Sequence, residues 1–201
     1  MRDEDDTRLS VLLARLLGEQ LDRVLVNPDW DRERDLLIDE LEPVLLEIAL
    51  REARREARKW EARRSDPLFD KVVSWAKSYA FELVTNINVE TRKGIAAAIE
   101  EFATTPETMG ELREKVASLF SPERANRIAV TEVTRAYTEG GRIEADELRE
   151  TGLQLIDIWR TENDSLVCED CDHEGEAYGE GWTEYPPVHP NCRCSIEREL
   201  A

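Results

Sequence analysis

The last part of the chain, from Cys168 to Cys194, constrains the fold more than any other stretch. It contains all four cysteines of the protein, arranged as Cys168-x-x-Cys171 and Cys192-x-Cys194, with His189 shortly before the second pair. Two close pairs separated by a loop are typical of a structural zinc site, in which each pair supplies two thiolates to one side of a tetrahedron. The sequence therefore predicts a Zn²⁺ site formed by Cys168, Cys171, Cys192 and Cys194.

Two alternatives to four thiolate ligands stay open. His189 either replaces one cysteine, giving three sulfurs and one nitrogen, or forms a hydrogen bond to a thiolate from outside the metal sphere. A disulfide within Cys192-x-Cys194 is badly strained, but a crossed pairing between the two cysteine pairs is geometrically acceptable. Metal is favoured because the N-terminus, MRDEDD, is acidic and lacks the features of a secretory signal. A site filled by four protein ligands is closed, and therefore structural.

The charge of the chain limits its partners. The net charge is −18, and residues 151–201 carry three basic and twelve acidic side chains. Strong binding to DNA phosphates depends on Lys and Arg, so this balance disfavours unaided binding to nucleic acid. No apolar run approaches the about 20 residues that a membrane-spanning helix needs. We expect neither a membrane partner nor a small-molecule substrate.

Most of the chain has helical periodicity. Apolar residues at three- and four-residue steps predict helices over 7–26, from 29 to about 64, from 67, from Asn88, from Thr105 and over 122–150. Pro43 lies inside the second of these stretches, where we expect a kink or a break. Ser121-Pro122 is a capping residue followed by proline, which favours a helix start, and Gly152 favours the end of that helix.

The pattern changes after Gly152. Residues 155–161 alternate loosely between apolar and polar side chains, as in a strand, and 195–198 form a short closing segment. The predicted fold is mainly α, an elongated helical body with a small C-terminal zinc-stapled β module, and α+β overall. The expected division is an N-terminal helical arm over 1–66, a helical part over 67–152, and the Cys-rich module over 153–201.

Glu132 interrupts an apolar stripe of the helix over 122–150. Burial of an unpaired carboxylate costs several kcal/mol, so a cationic or multiple-donor partner is expected. Arg160 and Arg193 flank the predicted metal module and are the favoured partners, with Arg135 on the same helix as another candidate. We interpret Glu132, Arg160 and Arg193 as a structural ion pair that docks the module, and assign no catalytic residue, because a general acid or base needs a second titratable group nearby.

Four motifs occur in an order that resembles a known family. They are Arg124-Ala125-x-Arg127-Ile128-Ala129-Val130-Thr131-Glu132, Ala136-Tyr137-x-x-Gly140, Trp159-x-Thr161-x-x-Asp164-x-x-Val167-Cys168-x-x-Cys171, and Pro187-x-His189-Pro190-Asn191-Cys192-Arg193-Cys194. Together they resemble the phage minor head proteins, whose head-morphogenesis domain is typified by the F protein of phage Mu. The resemblance covers about residues 70–198. Val130 departs from it, since members often carry Arg there, so no role of that arginine is transferred to this chain.

The resemblance implies a low-copy, non-enzymatic virion component of a bacteriophage or an archaeal tailed virus. Such a protein associates with the portal protein inside the head during assembly, with the major capsid protein as a further candidate partner. It is expected inside the head near the portal, and in the host cytoplasm during assembly. Because only seven residues follow Cys194, we expect no appended effector domain.

Two other functions are compatible with the residues. A zinc module associated with packaged DNA is the first, and the charge of residues 151–201 argues against it. A metal-dependent hydrolase is the second, and it requires an open coordination position at the metal. The motifs of zinc deaminases, P-loop proteins and Ser hydrolases do not occur in the sequence.

Overall fold

The computed structural model of the protein describes residues 2–60 and 66–201. Within these residues five α-helices precede a small antiparallel sheet. In chain order the elements are α1 (Arg2–Val26), α2 (Trp30–Lys59), α3 (Asp66–Thr104), α4 (Met109–Ser118), α5 (Pro122–Glu150), β1 (Leu155–Arg160), a one-turn 3₁₀ helix (Glu169–Cys171) and β2 (Ser195–Leu200). The predicted fold class, a helical body with a small C-terminal β module, is confirmed.

The helices are organised around α5. This helix packs along both α1 and α2, and α2 packs in turn against α3. All five helices contribute to one hydrophobic core. The described part of the expected N-terminal arm therefore shares its core with the rest of the body. The expected boundary of that arm borders residues 61–65, which lie outside the described residues.

Local sequence signals set the bounds of α5. The Ser121 side chain accepts a hydrogen bond from the backbone N–H of Arg124 at 3.3 Å, and Pro122 occupies the first turn. This arrangement satisfies one of the unpaired N–H groups at the start of the helix. At the other end Gly152 has a φ of 99°, a conformation that favours glycine. The predicted helix over 122–150 is confirmed.

Three expected helix boundaries differ in the structure. α2 continues through Pro43, which lies on its exposed side, so the expected break does not occur. α3 runs without interruption past Asn88, whose buried side chain accepts a hydrogen bond from Gln20 Nε2 at 2.8 Å. α4 begins after Thr108, and not at Thr105, because Thr108 and Glu111 form a reciprocal capping box.

The C-terminal module has its own small core. β1 and β2 pair antiparallel, with Trp159 opposite Ile196. Trp159 is fully buried and packs with Trp182 and with Cys171, Cys192 and Cys194. The cysteines are therefore part of the apolar core that stabilises the sheet. None of the helices in the two described segments has the length and apolar composition that a membrane span requires.

Candidate metal centre

Backbone turns bring the two cysteine pairs together. The first pair is held by the 3₁₀ helix, in which the N–H of Cys171 donates to the carbonyl of Cys168 at 3.0 Å. The second pair directly precedes β2, so its position is fixed by the pairing of β2 with β1. Cys171, Cys192 and Cys194 are buried, and all four cysteines are free thiols. The structure thus contains neither of the disulfide arrangements considered from the sequence.

The donor atoms form two overlapping groups. Cys168, Cys171 and His189 make up one group, Cys171, Cys192 and Cys194 make up the other, and the donors within each group lie within 4.8 Å of one another. The Sγ atoms of Cys171 and Cys192 are 3.7 Å apart. In a tetrahedral site with Zn–S bonds of about 2.3 Å, two sulfur ligands lie about 3.8 Å apart. The residues are therefore positioned to bind a metal ion.

A small cavity adjoins these donors. Its volume is about 20 Å³, and its walls include Cys171, His189, Cys192 and Cys194. This volume is close to the space of a single water molecule, and thus large enough for one ion and too small for an organic substrate.

His189 is held in one tautomer. Its Nδ1 lies 2.7 Å from the carbonyl oxygen of Pro190. Because a carbonyl only accepts hydrogen bonds, Nδ1 carries the proton, and Nε2 of the neutral ring has a free lone pair. That nitrogen lies 3.2 Å from Cys168 Sγ and 3.0 Å from Cys171 Sγ. Metal-binding histidines are commonly oriented by such a bond to a backbone carbonyl.

The thiols influence one another electrostatically. Burial, reinforced by the charge of Cys192, raises the pKa of Cys171 to about 12. Hydrogen bonds from the Cys194 thiol and from the backbone N–H groups of Cys194 and Val188 lower the pKa of Cys192 to about 5. Several thiolates in one buried cluster repel one another, so a bound cation is needed before all of them ionise.

Two threonines of α5 contact the loop that carries the second cysteine pair. Thr134, which is 1% exposed, donates from Oγ1 to the carbonyl of Cys192 at 2.6 Å. The backbone N–H of Asn191 donates to Thr131 Oγ1 at 2.9 Å. Sequence analysis gave neither threonine a role, although Thr131 belongs to the first of the four motifs. Their spacing of three residues on the helix, on a different side from Glu132, was the available signal.

Glu132 lies beside Tyr79, which was not expected, and beside Arg135, which was one of the candidate partners. Tyr79 of α3 donates its hydroxyl to Glu132 Oε2 at 2.5 Å, and Arg135 Nε lies 3.6 Å from the same oxygen. The guanidinium of Arg135 also lies over the Tyr79 ring, 5.2 Å from its centroid. Burial raises the pKa of Glu132. This side of α5 faces α3, so the carboxylate joins two helices of the body.

Arg160 and Arg193 form ion pairs within the module. Arg160 Nε lies 2.7 Å from Glu197 of the neighbouring strand, and Arg193 Nη2 lies 2.7 Å from Asp164. Both arginines are partly exposed, and neither contacts Glu132. Proximity to the metal module did not predict which side of α5 the module covers.

A buried ion network connects the sheet to the body. Asp157 of β1 and Arg198 of β2 are directly opposite in the sheet, each is 2% exposed, and Arg198 Nε lies 3.2 Å from Asp157 Oδ1. Asp157 also accepts hydrogen bonds from Arg149 at 2.8 Å and from the Tyr185 hydroxyl at 2.5 Å. Arg198 Nη1 lies 3.8 Å from Glu56 of α2. This network, which sequence analysis missed, fixes the sheet against α2 and α5.

Comparison with known proteins supports the resemblance seen in the motifs. Residues 88–197 match the family model described as Phage Mu protein F like protein. The match includes α4, α5, β1, the first half of β2, all four cysteines and His189. No curated protein and no solved structure matches the chain. Because the family model covers more than half of the sequence, the chain belongs to the phage Mu F-like family of head proteins.

Proposed function

We propose that the protein is a structural component of a phage head that associates with the portal inside the capsid during assembly. Its family supports a phage head-related role in the virion. In this proposal the helical body carries the binding surfaces, and the C-terminal module is held in place by one Zn²⁺ ion. The protein acts by binding other virion components and catalyses no reaction.

The observation that carries this proposal is the number of protein donors in the Cys/His cluster. Four thiols and His189 offer five donors within two overlapping groups, while tetrahedral Zn²⁺ takes four ligands. A site whose positions are all filled by the protein leaves none for a reactive water, and its metal stabilises the fold. Sulfur-rich donor sets select Zn²⁺, Cu⁺ or iron–sulfur clusters over Mg²⁺ and Ca²⁺, and tetrahedral geometry suits Zn²⁺.

Metal analysis of purified variants tests the site. We expect about one zinc per wild-type chain, and loss of most of that zinc in Cys168→Ser and Cys194→Ser because each removes a thiolate. His173→Ala is the matched control, since His173 bonds to Glu176 and lies outside both donor groups. Normal zinc content in both cysteine variants would contradict the site.

The same approach distinguishes the two ligand sets. If His189 is a ligand, X-ray absorption of the zinc protein shows three sulfurs and one nitrogen, and His189→Ala changes the first coordination shell. If His189 lies outside the metal sphere, the spectrum shows four sulfurs and the variant leaves them unchanged. A shell with an additional water oxygen in the wild type would favour the hydrolase.

Head assembly tests the role in the virion. Heads assembled with Cys168→Ser or Cys194→Ser should contain less of the protein than wild-type heads, while His173→Ala is incorporated normally. Cross-linking of the wild-type protein in intact heads should join it to the portal protein. Normal incorporation of zinc-free variants would contradict the role of zinc in holding the module. Cross-links only to components other than the portal protein would contradict portal association.

Filter binding to DNA across salt concentrations tests the nucleic-acid alternative, which predicts binding that weakens steeply with salt.

A further inference from the structure

A large apolar groove is lined by residues between Leu21 and Ala117, which are distant in sequence from the metal centre. Its volume is about 960 Å³, and it is bounded by the end of α1, the start of α2, the second half of α3, and α4. Three of its apolar side chains are unusually exposed for their size, namely Leu25 (62%), Ile99 (53%) and Met109 (67%). Exposed apolar surface of this kind, contiguous and concave, marks a binding site more often than an ordinary surface.

The side chains that line the groove have helical periodicity. On α3 they are Arg92, Ile95, Ala96 and Ile99, on α4 Met109, Leu112, Arg113 and Val116, and on α1 Leu21, Val24 and Leu25. Each set follows the three- and four-residue steps by which a helix packs against another helix. The helices α1, α3 and α4 therefore each present a row of mostly apolar side chains to the same groove. This is the arrangement of a helical bundle in which one position is unfilled.

The charges at the groove differ from those of the chain as a whole. The protein has 45 acidic and 27 basic side chains, yet the described residues that line the groove include Arg92 and Arg113 and no Asp or Glu. Arg92 lies over the Trp30 ring, 5.7 Å from its centroid. Among residues 2–60 and 66–201, neither arginine forms an ion pair, although most arginines of the helical body do. Two unpaired cations beside an apolar surface are complementary to a ligand with carboxylates.

From these features we propose that the groove binds an amphipathic helix of another protein, with an apolar face against α3 and acidic residues that pair with Arg92 and Arg113. Recognition of such a helix in a groove needs apolar anchors at helical spacing, and the charges select the orientation. A second copy of this chain fits less well, since two molecules of charge −18 repel each other. The proposal does not depend on the zinc site or on portal association.

Designed peptides provide the direct test. The probe is a synthetic helix of about 20 residues, about 30 Å long, with leucines at helical spacing on one face and glutamates on both flanks. The control peptide has lysine in place of each glutamate. Fluorescence anisotropy with the full-length protein should show saturable binding of the acidic peptide and binding at least about tenfold weaker for the basic peptide.

Variants of the protein test whether the groove is the site. The double variant Arg92→Glu, Arg113→Glu should reverse the preference between the two peptides, and Ile99→Glu should abolish binding of both. Arg54→Glu, at an exposed position on α2 outside the groove, is the matched control and should bind as wild type. Because the changed side chains are exposed, far-UV circular dichroism should stay the same.

Four results would overturn the proposal. The first is absence of saturable binding, and the second is equal binding of both peptides, which indicates nonspecific apolar contact. The third is a dimer in sedimentation equilibrium that Ile99→Glu dissociates, which assigns the groove to a second copy of the chain. The fourth is a double variant that still prefers the acidic peptide, which shows that Arg92 and Arg113 do not pair with its glutamates.

Discussion

Gly140 lies at a close approach of the backbones of α5 and α2. A Cβ atom at this position would lie 2.2 Å from the carbonyl oxygen of Ala49 and 2.8 Å from its carbon. Both are backbone atoms of a buried helix, so they cannot move aside without separating the two helices. We expect Gly140→Ala to lower the free energy of unfolding by about 2–3 kcal/mol, as overpacking of a core does. Urea unfolding followed by circular dichroism measures this.

Gly18 provides the matched control. It also lies inside a helix, but a Cβ atom there meets nothing within 4 Å. Gly18→Ala should raise the free energy of unfolding by up to about 1 kcal/mol, because alanine has the higher helix propensity. The same sign of change in both variants would contradict the close contact between α5 and α2.

Glu144 makes the stability of the protein depend on pH. It is 4% exposed on α5, and burial, with further contributions from Glu147 and Glu56, raises its pKa from 4.5 to about 7. The folded protein therefore keeps a proton that the unfolded chain has already lost between these pH values. The contribution of this group to stability is complete below pH 4.5 and is lost as the pH rises through about 7.

The variant Glu144→Gln tests this dependence. Glutamine has nearly the same shape and does not ionise, so the variant should be more stable than wild type above pH 7, by up to about 3 kcal/mol, and nearly equal to it below pH 4.5. Thermal unfolding of both proteins from pH 4 to 8 measures the difference. Stabilisation of equal size at every pH would mean that packing, and not ionisation, is responsible.

Single residues show what a sequence does and does not reveal about a site. The spacing of the cysteines was enough to predict a cluster of donors positioned to bind a metal, because residues so close in sequence are also close in space. Arg135, on the same helix as Glu132, was a candidate partner, but the second partner, Tyr79, was not predictable in the same way. The burial of Glu132 followed from the apolar stripe of α5, but the stripe does not say which element covers it, and Tyr79 lies 53 residues away.

At the scale of elements, short-range signals predicted the start of α5 correctly. At Asn88 a long-range contact outweighed the local signal. Ser121 and Pro122 marked the start of α5 because capping involves only the next few residues. Asn88 resembled a helix start, yet α3 continues through it because its partner, Gln20, lies 68 residues away. Such a contact leaves no mark in the local pattern.

The sheet should depend on the metal more than the helices do. β1 and β2 form only a two-stranded sheet, which is marginally stable in isolation, and the cysteines belong to its apolar core. Metal removal by a strong chelator should therefore accelerate hydrogen exchange at the backbone amides of 155–160 and 195–200. Exchange in α1, α2 and α5 should change little, because the large core of the body involves no cysteine. Mass spectrometry of proteolytic fragments resolves these regions.

The Cys168→Ser variant serves as the control for this experiment. If the chelator acts by removing the proposed ion, the variant should already show rapid hydrogen exchange at both strands without chelator. Addition of the chelator should then leave its exchange rates unchanged. Slow exchange at the strands of the chelated wild-type protein would show that the buried network around Asp157 holds the sheet without metal.

At the scale of the whole molecule, the hydrophobic core of the helical body and that of the C-terminal module differ in composition. The body core joins all five helices, while the module core consists of two tryptophans and three cysteines with their neighbours. The helical class of the body was predictable because periodicity repeats over many residues. How α1 and α2 sit on α5 was not, since apolar stripes do not specify which stripes meet.

Two truncations test how the molecule is divided. Removal of residues 1–26 takes away α1, whose Leu9, Leu13, Leu16 and Leu17 are at most 3% exposed, and uncovers the face of α5 that they contact. Since each buried leucine stabilises the fold by about 2 kcal/mol, this chain should lose most of its helical content or aggregate.

The chain of residues 1–152 should behave differently. It keeps all five helices and loses the module, whose described contacts to the body include Thr131, Thr134 and Glu56. We expect it to stay helical with a lower melting temperature, because Glu56 then lacks its Arg198 partner and Thr134 its carbonyl acceptor. Circular dichroism and thermal unfolding compare the two truncated chains with the full-length protein. If the chain without α1 melts cooperatively and residues 1–152 do not, α1 is a separable arm, and the fold of the body depends on the metal module.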